Sequence, residues 1–553
     1  MKKRHPKKSN VLLVNITRLG DMLQATPTIA GIKKENPDCK ITVLVEKQFE
    51  SVCHSIPYVD EVLSIDLSMA VRALAREKEG MIDAYEYVSE FVDDLRSRNF
   101  DYALNMSSSA YTALLLHLVG IERKGGWAAD AEGHRVIESE WAQLFATSVF
   151  HQNRQYNSLN LVDVFRCSAD VEEHPRSLLI DIKEEAKERA SQMLTEMEFP
   201  QDGPMVMLQA GASQRKRQWQ PEKFVQLIEI LTSRYNCRVL LTGTKKELNI
   251  IDPIMQQVTS PRVFSVAGET GIDELAAFLS MSDLLITGDT GPMHMSVAVG
   301  TPVISMFLAS AFGYETGPYA EGNIVLQPVI GCGPCNPNKP CSQPECHDTI
   351  SPEVLAELAM LRVQGDCSEL PTTLRDYRGA VIYRTCFDEF GFYDLEPLNR
   401  IENSAMEQFR AAYRKLWLDD LGGYSFEESP RSKLPIITGS PIEGLEIVAE
   451  TARAGQELLG ELQALILDRN APAASLGEKS EELQELDREI EQIGFYYPHL
   501  GPITRMFIFG KENILGTDAE ELASQMMGVY QALERRTGKL QRYYTQALSN
   551  NVQ

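Results

Sequence analysis

Between Met205 and Phe307 the chain repeats one pattern. A short, mainly apolar run at 205–208, 239–242, 263–266, 284–287 and 303–307 is separated from the next by a polar turn and, in most intervals, by a segment of helical spacing, at 221–235, 272–279 and 292–299. Runs that are apolar on consecutive rather than alternate residues predict strands buried on both faces, as in a parallel sheet covered by helices. Strands joined through helices imply right-handed crossovers and a doubly wound α/β sheet. Such a sheet binds ligands at the carboxyl ends of its strands.

The same grammar opens the chain. An apolar strand at 11–14 leads through a loop and helical stretch at 17–36 into a strand at 41–45, with further strands at 62–65 and 102–104 and helices near 85–96 and 110–118. Two Rossmann-like lobes are therefore expected, with a hinge in the polar stretch 170–204. Beyond residue 366 strand signals fade. Segments 442–468, 478–493 and 518–548 carry helical spacing, and Leu483, Leu486, Ile490 and Ile493 form one stripe. Turns are expected at 439–441 and 471–477. The predicted division is a basic tail 1–10, an N-terminal Rossmann-like lobe 11–175, a C-terminal Rossmann-like lobe 176–365 and a mainly α-helical extension 366–553.

Length and composition agree with this scale. At 553 residues, 43% hydrophobic and 24% charged, the chain is ordinary globular protein with room for about three to five domains. A formal net charge of −24 opposes nucleic acid as a partner, because that binding rests on Lys and Arg neutralising phosphates; any phosphate site has to be local. The apolar run 11–14 is too short for a signal peptide, and no run reaches the ~20 residues that span a bilayer. The expected location is cytoplasmic. The basic first ten residues leave open a peripheral contact with the inner face of the cytoplasmic membrane, beside the plainer reading of a solvated tail.

Four loops concentrate chemistry. After the first strand, Gly20 and Asp21 stand where the chain turns into a helix; Asp21 suits either a helix cap or a carboxylate base. In the second lobe Gly288-Asp-Thr-Gly-Pro-Met-His294 lies between a strand and a helix. There Thr290, Gly291 and the first helical amides can meet phosphate oxygens, while Asp289 and His294 read equally as cap and core residues. Gln209 to Trp219 contains Ser213 and the cations Arg215, Lys216 and Arg217, which suit a departing diphosphate or a solvated basic loop. Glu247 follows the next strand, either a ribose contact or a surface acid.

A further loop holds Cys332, Cys335, Cys341 and Cys346 in 15 residues rich in Pro and Gly. In a cytosolic chain such a cluster suggests a metal before disulfides. Four thiolates can surround zinc or iron tetrahedrally; reduced free thiols are the alternative, and His347 is a neighbouring bystander or substitute ligand.

The Gly-Asp turn, the Gly-Ala-Ser loop ending in Lys-Arg-Gln-Trp, and Asp-Thr-Gly-Pro-Met-His followed by Ser-Val-Ala-Val-Gly resemble glycosyltransferase family 9, the lipopolysaccharide heptosyltransferases. The resemblance spans roughly residues 10–360 and rests on three junctions agreeing in order and spacing. It implies the GT-B fold, two lobes about a cleft, and inverting transfer without a catalytic metal. The implied donor is a nucleotide-diphosphate sugar such as ADP-heptose, and the implied acceptor a lipopolysaccharide core or other bacterial glycan. On this resemblance Asp21 aligns with the general base. Asp289, Thr290, Gly291 and His294 align with phosphate and donor-sugar contacts, Ser213 lies in the donor loop, and Glu247 matches the ribose contact more loosely. The family's lysine stands two places before the tryptophan, where this chain has Arg217, with Lys216 one place earlier; the cation's owner is one of the two. Related autotransporter heptosyltransferases hold iron with cysteines near the Cys332–Cys346 position, implying a structural metal there. The resemblance leaves the extension unexplained, and an oligomerisation or partner surface is one expectation for it. Two rival functions stay open: a protein glycosyltransferase acting on flagellin or an autotransporter, and a non-catalytic nucleotide-sugar-binding scaffold.

Overall fold

The computed structural model describes residues 8–76, 79–365, 369–399, 404–426, 440–468 and 470–549. Residues 1–7 of the basic tail, Asp366 at the start of the predicted extension and Gly439 of a predicted turn lie outside them. The chain divides into two compact units, Met1–Gly126 with Leu159–Ile401, and Trp127–Ser158 with Glu402–Gln553.

The first unit holds both Rossmann-like lobes. In the N-terminal lobe the strands are β1 (Asn10–Val14), β2 (Lys40–Glu46), β3 (Glu61–Ile65), β4 (Tyr102–Asn105) and β5 (Lys124–Ala129), hydrogen-bonded in the order β3-β2-β1-β4-β5. All of these pairings are parallel, with Val14 beside Leu44 and Asn105. Val11 to Val14 are fully buried, as a central strand with both faces covered requires. The predicted helical stretch 17–36 is two helices, Leu19–Gln24 and Thr26–Glu35, meeting at Ala25. The short first helix delivers Asp21 to the carboxyl edge of the sheet. The end of β5 passes into the second unit, where Trp127 to Ala129 pair with β6 (Arg135–Ile137).

The C-terminal lobe is an eight-stranded sheet. Its strands are β7 (Met205–Gln209), β8 (Arg238–Thr242), β9 (Val263–Ser265), β10 (Leu284–Gly288), β11 (Val303–Met306), β12 (Ile324–Pro328), β13 (Ala380–Phe387) and β14 (Tyr393–Pro397), in the order β14-β13-β12-β11-β10-β7-β8-β9. Strands β7 to β12 pair in parallel; β13 and β14 add an antiparallel edge. Strand order reverses between β7 and β10, and between β1 and β4 in the other lobe, so the loops carrying Asp21, Lys216–Arg217 and Asp289–His294 all leave switch-point strands, where doubly wound sheets bind ligands. This is the expected GT-B architecture with a helical extension. The expectation that strands end near residue 366 is corrected by β13 and β14. Their residues Ala380, Ile382 and Tyr383 are buried against the lobe's other strands and helices, and β13 completes the sheet by pairing Val325 with Tyr383. The polar stretch 170–204 is also more ordered than a bare hinge, since it contains the helix Glu184–Glu196, which buries Ala186, Ala190 and Met193.

The second unit is helical. Five helices from the extension, Ala405–Asp420, Ser440–Leu467, Ala473–Tyr496, Gly501–Glu512 and Ala519–Ser549, pack with the inserted Glu140–Val149 and His151–Arg154. Leu483, Ile490 and Ile493 are buried as their stripe predicts. Between them Asp487 is buried too, compensated by Lys511 and by the Tyr530 hydroxyl at 2.8 Å. The predicted turn near 471–477 is shorter, because Ala473 already begins a helix. The insert is tied in by Asn513, whose side chain exchanges two hydrogen bonds with the backbone of Ile137, at 2.7 and 3.0 Å. Among the described residues no helix is long and apolar enough to cross a membrane.

Candidate functional site

Asp21 is the third residue of the Leu19–Gln24 helix. Its carboxylate accepts from the Arg18 N–H at 3.2 Å in a capping box, and the Asn15 side-chain amide donates to its carbonyl at 3.1 Å. Asp21 therefore does cap a helix, and that helix faces the loop Asp289–His294. A Cβ placed on Gly20 would stand 2.7 Å from the ring Cδ2 of His294 and 3.3 Å from its Nε2. A Cβ on Gly291 would meet Leu19 at 3.0 Å. The first turn of the N-terminal lobe's first helix thus lies directly against the start of the helix Gly291–Ala298 in the other lobe.

His294 is almost fully buried, and its Nδ1 has no hydrogen-bond partner among the described residues. Burial pushes its pKa below the usual 6.5, while Asp289 and Asp21, its charged neighbours, oppose that shift. Two acids bracket one buried neutral ring. Asp289 in turn holds Arg217, whose guanidinium bonds the Asp289 carboxylate and reaches its carbonyl at 3.4 Å. Both side chains are largely buried, 14% and 13% exposed. Arg217 is the cation that joins the Asp289–His294 loop.

Lys216 is placed elsewhere. Its ammonium donates to the carbonyls of Asn336, Pro337 and Lys339 at 2.9, 3.0 and 2.7 Å, within the cysteine segment.

A hydrogen-bonded relay crosses the strand ends. Thr290 Oγ1 meets Thr287 Oγ1 at 2.9 Å, and Thr287 donates to the Gln209 side-chain carbonyl at 3.2 Å. The Gln209 amide donates to Glu247 at 3.0 Å, and Glu247 accepts from the Thr244 N–H and hydroxyl at 2.7 and 2.9 Å. Glu247 caps its turn as well as facing the cleft. Gln209 and Thr287, both buried, link the two motif loops. Sequence reading missed their part: each closes an apolar strand with a polar residue, which was the available signal.

A cavity of about 1580 Å³ opens beside this relay, walled by the loop 212–222 with Ser213, by Thr244 and Glu247, and by Pro337 to Ser342 of the cysteine segment. Arg217, Asp21 and the Asp289–His294 loop are not among its lining residues.

In the cysteine segment Cys332 and Cys341 are exposed, Cys335 half-buried and Cys346 buried. Burial, and then the neighbouring thiols of Cys332, Cys346 and Cys341, push the Cys335 thiol up to about 11. Cys346 is raised for the same reasons. Charge from other thiols of the segment thus reaches both Cys335 and Cys346. Among the described residues, however, no group of three or more His, Cys, Asp or Glu side chains is disposed to hold a metal ion. His347 is turned away from the thiols, its Nε2 facing the Lys216 carbonyl at 2.8 Å.

Part of this chain is similar to known proteins. Residues 88–346 match the profile of Glycosyltransferase family 9 (heptosyltransferase). Lipopolysaccharide heptosyltransferase 3 of Escherichia coli is 27% identical over 295 residues, 53% of this chain and 81% of that protein. Lipopolysaccharide heptosyltransferase 1 of Campylobacter coli is 20% identical over 312 residues, 54% of this chain and 84% of that one. Among solved structures, the family 9 glycosyl transferase from Veillonella parvula DSM 2008 superposes with a TM-score of 0.52 at 17% identity, covering 65% of this chain and 98% of that one. At that identity the likeness shows the fold.

Proposed function

We infer that this chain, a glycosyltransferase of the family 9 heptosyltransferase type, moves heptose from ADP-heptose onto a saccharide of the lipopolysaccharide core. The observation that carries the reading is the abutment of the Asp21 turn on His294, beside the Asp289–Arg217 pair. It sets the turn that carries a carboxylate in one lobe against a helix start in the other, next to the paired Arg217 and Asp289.

The chemistry follows from that pairing. The nucleotide occupies the cavity beside Ser213 and Glu247, with its diphosphate toward Thr290, Gly291 and Arg217. The acceptor hydroxyl gives its proton to Asp21 as its oxygen bonds the anomeric carbon. The bond from that carbon to the diphosphate oxygen breaks on the opposite face, so configuration inverts. Arg217 and the amides opening the Gly291–Ala298 helix take up the charge on departing ADP. His294, kept neutral by burial, can donate to the sugar or phosphate without adding a charge next to Asp21.

The cysteine segment serves a structural end in this reading. Cys332, Cys335, Cys341 and Cys346 would take one zinc or iron only after their loop rearranges, because as placed no three of the described side chains are disposed to hold a metal ion. A site closed by four thiolates has no open position for substrate and fastens its loop. Elemental analysis of protein purified without oxidation should give about one metal per chain; none, with four titratable thiols in a stable native protein, would remove the metal. The chain works in the cytoplasm, with peripheral contact to the inner membrane face where a lipid-anchored acceptor resides.

The test is acceptor-dependent release of ADP from ADP-heptose by the purified full chain, given a truncated lipopolysaccharide core. Release and product are expected together. Nucleotide binding without transfer to any glycan or protein acceptor would favour the scaffold reading.

A further inference from the structure

We propose that the cysteine segment is a wall of the donor-nucleotide pocket and that Lys216 is the positioning residue that holds it there. The proposal rests on the donor reading of the cavity given above.

A lysine ammonium has three N–H groups and no acceptor. In this structure three carbonyls receive them, those of Asn336, Pro337 and Lys339, at 2.9, 3.0 and 2.7 Å. These three carbonyls converge from four consecutive residues between Cys335 and Cys341. Lys216 consequently has no donor left to offer a phosphate, and the loop's outward carbonyls are gathered by one charge. Its backbone is held from the other side, where His347 Nε2 faces the Lys216 carbonyl at 2.8 Å. The His347 carbonyl accepts from Lys223 at 2.7 Å and from the buried indole of Trp219 at 3.2 Å. Side chain and backbone of the cationic turn are thus both fastened to the segment that follows β12.

This fastening has a consequence for the cavity. One side is the turn itself, Ser213 to Gln218; another is the loop, including Asn338, Lys339, Cys341 and Ser342; across from them stand Thr244, Lys246 and Glu247. The loop that carries the thiols is therefore in position to contact a nucleotide, and its position depends on Lys216. Arg217, next in sequence, points instead to Asp289. The two neighbouring cations divide the work: Arg217 faces the diphosphate loop, and Lys216 sets the shape of the site.

The division predicts behaviour that a phosphate-binding lysine would not show. Arginine keeps the charge, but its flat guanidinium cannot direct donors to three carbonyls that converge on a point. Hydrogen–deuterium exchange and ADP calorimetry on the full chain, as wild type, Lys216→Met and Lys216→Arg, give the test. In wild type, ADP should slow exchange at the amides of Asn338, Lys339, Cys341 and Ser342. In both variants these amides should exchange several-fold faster without ligand, and the Kd for ADP should rise roughly tenfold, as expected for losing hydrogen bonds to a charged group. ADP that binds wild type and protects residues 209–219 but leaves 338–342 unchanged would overturn the wall. Wild-type affinity in Lys216→Arg, with weakened binding and unaltered loop exchange in Lys216→Met, would overturn the positioning role in favour of direct attraction. Failure of wild type to bind ADP at all would remove the donor reading itself, and this inference with it.

Discussion

Arg217 and Asp289 form an ion pair from which solvent is mostly excluded, joining the turn after β7 to the loop after β10 across the switch point of the C-terminal sheet. In the reading proposed above, a diphosphate would share the Arg217 guanidinium with the Asp289 carboxylate. Arg217→Ala removes the cation and leaves a largely buried carboxylate unpaired. The expected result is a loss of transfer of about 100-fold to 1,000-fold, with a stability cost on the order of 1–3 kcal/mol. Single-turnover rates and denaturant midpoints measure the two separately, and a rate within a few-fold of wild type would mean that another group meets the leaving phosphate.

Gly20 is required by space. Its φ is not in the left-handed region, yet a Cβ would stand 2.7 Å from a carbon of the buried His294 ring. Gly20→Ala should therefore push the Asp21 turn and His294 apart. A fall in transfer rate of roughly tenfold or more is expected, from misplacement of the base, while ADP affinity changes little. Unchanged kinetics would show that the contact between these two helices opens during turnover.

His174 predicts a pH dependence of stability. Its Nε2 faces the Tyr319 hydroxyl at 3.0 Å, and Tyr319 donates to the buried Asp163 at 3.0 Å. Burial, reinforced by Arg166, lowers the imidazole pKa from 6.5 to about 4. The unfolded chain thus takes up a proton that the folded protein refuses. The stabilisation is complete above pH 6.5 and is lost as the pH falls from there to about 4. With allowance for partial exposure it amounts to something on the order of 2 kcal/mol. Denaturation midpoints of wild type and His174→Phe should converge or cross as pH is lowered over this window; parallel curves would exclude the histidine as the cause.

In the helical unit, Asp420 is almost completely buried between Arg535 and Arg536, with Lys539 at 3.3 Å. Burial alone would raise its carboxyl, but hydrogen bonds and charge from the two arginines hold it down at about 2. Its contribution is present above the usual 3.8 and lost as the pH falls toward 2. Asp420→Asn should destabilise this unit at neutral pH by on the order of 2 kcal/mol. The deficit should shrink below pH 4, where wild type loses the same charge. A deficit independent of pH would point to packing alone.

Much of the first unit was legible because its signals are local. Strands such as Val239 to Thr242 are buried on both faces, so they read as continuous apolar runs, and the Pro221–Tyr235 helix is bounded by a proline at its start and Asn236 in a left-handed conformation at its end. β13 and β14 were missed because β13 takes its place by pairing with β12, over fifty residues earlier, and β14, which pairs with β13, carries only Tyr393 and Leu395 as buried apolar residues. In the candidate site, the loops bearing Asp21, Arg217 and Asp289 could be read from their place after strands. The different placements of Lys216 and Arg217 could not, because Lys216 is turned to carbonyls of residues 336–339 that only the fold brings near. The grouping of Trp127–Ser158 with the helical unit was likewise invisible, since it is made by contacts such as Asn513 with Ile137.

The central claim is that Asp21, delivered by a switch-point strand, is the base for sugar transfer, and Asp21→Asn tests it most directly. The substitution keeps size and much of the capping geometry while removing the proton acceptor. Single-turnover transfer from ADP-heptose to a lipopolysaccharide core acceptor should slow by roughly 100-fold to 10,000-fold, with ADP-heptose affinity within a few-fold of wild type. Transfer at the wild-type rate by a folded, donor-binding Asp21→Asn protein would contradict it, and would leave Asp21 as a helix cap.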